Sequence, residues 1–182
     1  MNVLGSRIRI RPTRREDFSF LQALWNDGSV MRHLGYPNGM HVTDSCMERW
    51  WSITPQAQHS DARLSSFATP HCMLELIDGT PIGELLYSLD AHQRARIDLK
   101  LARAYWGKGL ATEALQLTLR ELFATSAVSR VIVEPAAENA AARQVLHRCG
   151  FHPAPTDNHP ERWECTRTDF AYRDAVPIAE VA

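Results

Sequence analysis

Polar and apolar side chains alternate in Arg7-Ile-Arg-Ile-Arg11, the two-residue period of a half-buried strand, and Pro12 ends it. Thr13-Arg-Arg-Glu16 then has the form of a capping box, and Phe18, Leu21, Leu24 and Trp25 recur at helical spacing before Asn26-Asp-Gly28 closes the helix. Val30-Met-Arg-His-Leu34 is a short apolar piece leading to Gly35-Tyr-Pro-Asn-Gly39, a loop by composition. A second helix is predicted from 44 to about 54, with Met47, Trp50 and Trp51 on its buried side. Two strands, 71–77 and 82–89, flank the tight-turn pair Asp78-Gly79 and read as a hairpin. Residues 95–101 alternate again, with Ile97, Leu99 and Leu101 on one face and Asp98 and Lys100 on the other. Beyond a glycine-containing loop come a helix at about 110–124, a β-branched strand at 129–134 and a helix at 139–149 that ends at Gly150. A Pro- and Asp-rich loop at 153–160 and an alternating strand at 162–170 complete the pattern. The order β-α-α-β-β-β-α-β-α-β suits neither a doubly wound sheet nor a sandwich, and predicts an α+β (mixed α/β) fold in which helices flank a mixed sheet.

Size and charge narrow this picture. The chain of 182 residues fits one domain, 1–182, long enough to bury a core without staples. Its formal net charge of −1 gives no support to nucleic-acid binding. No run approaches the roughly 20 apolar residues of a membrane span, and the first residues lack the apolar stretch of a signal peptide, so a cytoplasmic protein is expected. Cys46, Cys72, Cys149 and Cys165 are scattered, and the eight histidines form no helical pair around a glutamate; reduced thiols and no metal are expected.

The candidate chemistry sits in Tyr105-Trp-Gly-Lys-Gly-Leu-Ala-Thr-Glu-Ala-Leu115. Gly107 and Gly109 cost backbone entropy unless the chain must turn unusually or let something approach, and the residues after them are strong helix formers. A loop that opens a helix presents unpaired N–H groups and partial positive charge to an anion, most often a phosphate. The alternative is a loop that merely turns a strand into a helix. The spacing lacks that of a nucleotide triphosphatase loop, and Thr112 stands where a dinucleotide fingerprint has its third glycine.

Trp106-Gly-Lys-Gly-Leu-Ala111 resembles the acetyl-CoA signature Arg/Gln-x-x-Gly-x-Gly/Ala of the GNAT N-acetyltransferase superfamily. Asn139-Ala-Ala-Ala-Arg-Gln-Val-Leu-His-Arg-Cys-Gly150-Phe151 is similar to its later motif, an Asn that opens a helix closing in Gly-Phe. The stretch through Val30-Met-Arg-His-Leu34 resembles the branch containing ribosomal-protein N-terminal acetyltransferases, and the likeness runs from about 7 to 151. The resemblance implies the GNAT acyl-CoA N-acyltransferase fold, a mostly antiparallel sheet of about six to seven strands. It implies acetyl-CoA as co-substrate and no metal. Trp106, Gly107, Lys108, Gly109, Leu110, Ala111 and Thr112 would hold the CoA pyrophosphate. Leu99, Leu101 and Ala102, on the strand that splays from the one near Ser129, would meet the pantetheine arm. Asn139 would bond the pantetheine or position the thioester end; as a residue type it is equally a helix N-cap. Trp106 departs from Arg or Gln, Ala142 from a common Ser, and Leu146 from the Tyr that protonates the leaving thiolate in many members.

Direct attack of an amine on a thioester needs a base. Asp98 is the first choice, on the strand expected to line the thioester and in a stretch resembling some aminoglycoside 6'-N-acetyltransferases; its alternative is a surface pair with Lys100 or Arg96. Glu84, on the neighbouring strand, is second. The acceptor pocket is expected around Tyr36, Trp50, Trp51, Asp98 and the loop 156–159, where aromatic and acidic residues suit a cationic amine. Both tryptophans also fit a helix core. His147 and Cys149 read as structural. The expected acceptor is a primary amine of a small molecule such as an aminoglycoside or polyamine. Acetylation of a protein or peptide N-terminus is a second reading, and a non-catalytic CoA-binding sensor a third. Monomer and homodimer both remain open.

Overall fold

The computed structural model describes residues 1–53, 70–125 and 127–175. Eight strands form one sheet in the order β1-β2-β3-β4-β5-β6-β8-β7. They are β1 (Val3–Leu4), β2 (Ile8–Pro12), β3 (His71–Leu76), β4 (Pro81–Leu89), β5 (Arg94–Leu101), β6 (Arg130–Val133), β7 (His152–Pro153) and β8 (Trp163–Thr166). All neighbours pair antiparallel except β5 and β6. The helices are α1 (Phe18–Asn26), α2 (Gly28–Met31), α3 (Asp44–Ile53), α4 (Leu110–Thr125), α5 (Ala140–Arg148) and α6 (Arg167–Ala175).

Alternation along the central strands sorts side chains onto two faces. One row, Ile10, Leu74, Gly83 and Leu101, is set by the register of β2 to β5 and joins the main core with Leu110, Ala114 and Leu122 of α4 and Leu146 of α5. The adjacent row, Arg11, Met73, Glu84 and Lys100, points to the opposite face. There Leu21 of α1 and Met47 of α3 pack on Met73. The second face therefore mixes apolar contacts with buried charge.

Several elements differ from the sequence expectation. The first helix is not capped by Thr13 and Glu16: the Arg14 N–H donates to Asp17 at 2.7 Å, and the Thr13 hydroxyl meets His71 Nδ1 instead. Arg11 accounts for the shift, because its guanidinium grips both Asp17 oxygens at 2.8 and 2.7 Å and draws that carboxylate into the turn. The apolar piece after Asp27 begins as α2, with Asp27 accepting from Ser29 N–H at 2.8 Å. The last strand stops at Thr166 rather than running to 170. Thr166 and Asp169 bond reciprocally, Thr166 N–H to the carboxylate at 2.8 Å and Asp169 N–H to the hydroxyl at 3.2 Å, and this cap starts α6. Two strands of two residues, β1 and β7, extend the sheet beyond the expected six or seven.

Candidate active site

The chain leaves β5 through a single turn at Arg103–Tyr105 and reaches α4 through Gly107 and Gly109, at φ +72° and +73°. A side chain at either position would be strained. A Cβ at Gly107 would meet nothing within 4 Å, so the turn is open to a ligand. Lys108 lies over the Tyr105 ring at 5.5 Å. Leu110 is buried at the helix head, Ala111 packs on the core, and the Thr112 carbonyl receives the Cys149 thiol at 3.7 Å. At Gly109 a Cβ would lie 3.5 Å from the Arg7 guanidinium, and helix heads of this form fit a phosphate diester or diphosphate through their first N–H groups.

Between β5 and β6 the ladder covers only Arg94 to Arg96, although β5 continues to Leu101. The Ala102 N–H bonds the Ile82 carbonyl across β4, so even positions of β5 face β4, whereas Leu99 and Leu101 turn their backbone groups to the opening. This is a free strand edge for an extended, amide-bearing ligand. The Leu101 carbonyl already accepts the Trp106 indole N–H at 2.7 Å. Trp106 thus ties the end of the strand to the glycine turn, a side-chain role beyond the backbone one expected. Asn139 caps α5, its side-chain oxygen accepting from Ala142 N–H at 3.0 Å; the amide nitrogen is the part the cap does not use.

On the second face four polar side chains converge. Glu84, 1 % exposed, accepts from the Trp25 indole at 3.0 and 2.9 Å, meets His71 Nε2 at 2.8 Å and pairs with Lys100 at 2.9 Å. Burial opposes its charge, yet the His71 hydrogen bond and the Lys100 charge prevail and hold the carboxyl down to about 2. Lys100 is 9 % exposed and also contacts Asp98, and the two carboxylates raise its affinity for the proton against the cost of burial. Asp98 is 48 % exposed. Of the two candidate bases, therefore, Asp98 reaches solvent and Glu84 is enclosed with its partners. The surface pair of Asp98 with Lys100, anticipated as an alternative, is present, and it leaves the Asp98 side chain half-exposed.

The aromatic residues form a cluster beneath this network. Trp50 meets Trp25 edge-on at 5.2 Å and His71 at 4.9 Å, and Phe18 meets Trp51 at 5.4 Å. Trp50 packs against the Leu21–Met47–Met73 cluster, which is the core role. Tyr36 is exposed on the loop after Leu34. In the loop 156–159, His159 reaches Glu134 at 3.3 Å. Leu146 and Cys149 are buried. Sequence reading missed His71, Trp25 and the part played by Lys100. The signal that Lys100 shares a face with Asp98 was present, but its alignment with Glu84 depends on the strand register.

The family model for the acetyltransferase (GNAT) domain matches residues 7–152. Spermidine N(1)-acetyltransferase of Escherichia coli (strain K12) is 25% identical over 146 residues, 79% of this chain and 72% of that protein. Spermidine N-acetyltransferase from Vibrio cholerae, solved with CoA and spermine, superposes with a TM-score of 0.74 at 18% identity, covering 92% of this chain and 99% of that one. Aminoglycoside acetyltransferase AAC(6')-Ib, solved with coenzyme A and kanamycin, gives 0.72 at 16% identity over 92% and 99%.

Proposed function

The chain belongs to the GNAT acetyltransferase family, and as an acetyl-CoA-dependent N-acetyltransferase we propose that it acetylates a primary amine of a small molecule, with Asp98 as the general base. The observation that carries the assignment of the base is the placement of Asp98, half-exposed beside the free edge of β5, while Glu84 is fully engaged. The curated relative acts on spermidine by its name, which supports a polyamine-like acceptor.

Acetyl-CoA supplies the thioester from which the acetyl group is transferred. The chain's own groups would divide the work as follows. Residues 106–112 would hold the diphosphate through the N–H groups from Gly107 onward, the Trp106 N–H being donated to the Arg103 carbonyl at 3.2 Å. Leu99 and Leu101 offer backbone groups to the arm that follows, and the Leu99 N–H offers a donor to a carbonyl oxygen as it gains charge. Asn139 offers its amide nitrogen from the neighbouring helix. Free amines are protonated at neutral pH, with pKa values of about 10 for a lysine-like group and about 8 for an α-amino group. Asp98 accepts that proton, directly or through water, a contribution of about 10²- to 10⁴-fold. Lys100 holds the Asp98 carboxylate, Glu84 holds Lys100, and His71 and Trp25 hold Glu84.

A second reading, acetylation of a peptide α-amino group, is favoured by charge pairing. Among the described residues, Asp17 and Glu75 are paired with Arg11 and Arg9, and Glu84 and Asp98 share Lys100, so these groups leave a single carboxylate in excess to attract a polycation. Acetyl-CoA turnover, followed as thiol release across polyamines, aminoglycosides and short peptides, decides between them. Turnover with polyamines or aminoglycosides supports the first reading and turnover confined to peptides the second. Binding of CoA without thiol release for any amine would leave a non-catalytic sensor.

A further inference from the structure

Arg7 precedes the glycine turn by about half of the chain, yet its guanidinium reaches it. Arg7 Nη1 donates to the Lys108 carbonyl at 2.9 Å, and Arg7 Nε donates to Glu113 at 2.7 Å. Glu113 also accepts from the Arg7 N–H at 2.8 Å and from the Ser6 hydroxyl at 3.0 Å. The start of β2 is thus bolted to the first turn of α4, and the arginine spans from that bolt to the turn.

We propose that Arg7 is a positioning residue for the diphosphate-binding turn, fixing the Lys108–Gly109 peptide so that the Gly109 N–H faces the ligand. In a trans peptide the C=O and N–H point in opposite directions, so holding the Lys108 carbonyl toward Arg7 sends the next N–H away from it. The glycines have no side chains to do this, and the Lys108 amine is occupied over Tyr105. On the other side, the Gly109 carbonyl is fixed by the first turn of α4, which donates the Glu113 N–H at 3.1 Å. Arg7 fixes the remaining end. It also neutralises Glu113, whose carboxylate would otherwise face an anion from the first turn. This inference rests on the reading of 106–112 as the CoA diphosphate site.

Calorimetry with CoA and with dephospho-CoA, which keeps the diphosphate and lacks the 3'-phosphate, tests it on the full chain. Binding of CoA by the wild type tests the underlying reading and is read first. Arg7→Met is expected to weaken CoA by on the order of tenfold, as for loss of a charged hydrogen bond, and dephospho-CoA by the same factor. Arg7→Lys, which keeps the charge but not the two-pronged geometry, is expected to restore only part. Arg7→Met with Glu113→Gln is expected to remain weak. A penalty that disappears with dephospho-CoA would mean that Arg7 touches the 3'-phosphate. Recovery in the double variant would mean that only the stranded carboxylate matters. Unchanged affinity in Arg7→Met, or in Arg7→Lys where Arg7→Met does not fold, would mean that the contact serves stability alone. Each of these three results overturns the proposal.

Discussion

At the scale of single residues, the arrangement separates two carboxylates that look alike in the sequence. Asp98 stands half in solvent, and Glu84 sits among His71, Trp25 and Lys100. Asp98→Asn should lower kcat by about 10²- to 10⁴-fold while leaving the calorimetric affinity for CoA near that of the wild type. If thiol release persisted at the wild-type rate, the base would lie elsewhere. Lys100→Met leaves the buried Glu84 charge held only by His71 and Trp25, which costs up to about 3–5 kcal/mol, whereas replacing both members is closer to neutral. Urea unfolding should therefore show Lys100→Met far less stable than Lys100→Met with Glu84→Gln.

Elements show where chain chemistry outweighs pattern. Alternation at residues 162–170 reads as one strand, but Thr166 and Asp169 satisfy each other's N–H groups and convert its second half into α6. Thr166→Ala should cost about 0.5–2 kcal/mol, measurable in urea. Gly83 illustrates the opposite case, a demand invisible in any local pattern. A Cβ there would lie 2.1 Å from the Lys100 carbonyl, so β4 and β5 must separate to admit it. Gly83→Ala should destabilise by at least about 1–3 kcal/mol and disturb the Glu84–Lys100 pair beside it. The hairpin, the glycine turn, α4 and α5 were legible because each rests on neighbours in sequence. The links from His71 to Glu84 and from Arg7 to Glu113 were not, since they join residues 13 and 106 apart and depend on how strands align.

For the whole molecule, buried charge makes stability depend on pH. Glu84 titrates near 2 in the folded state against an ordinary value of 4.5, so its contribution is complete above about 4.5 and is lost as pH falls through that interval toward 2. Lys100 moves the other way: raised above 10.5, it contributes below that value and loses its contribution as pH rises beyond it. Thermal midpoints between pH 6 and 3 should fall more steeply for the wild type than for Glu84→Gln. No helix among the described residues is long and apolar enough to cross a membrane. The short parallel seam between β5 and β6 has its own consequence for slow solvent chemistry. Because the Leu99 and Leu101 amides lie beyond its last rung at Arg96, they should trade protium for deuterium faster than their even-numbered neighbours in the empty protein. Loading the cleft should then slow those two sites first, a native reporter of occupancy needing no label.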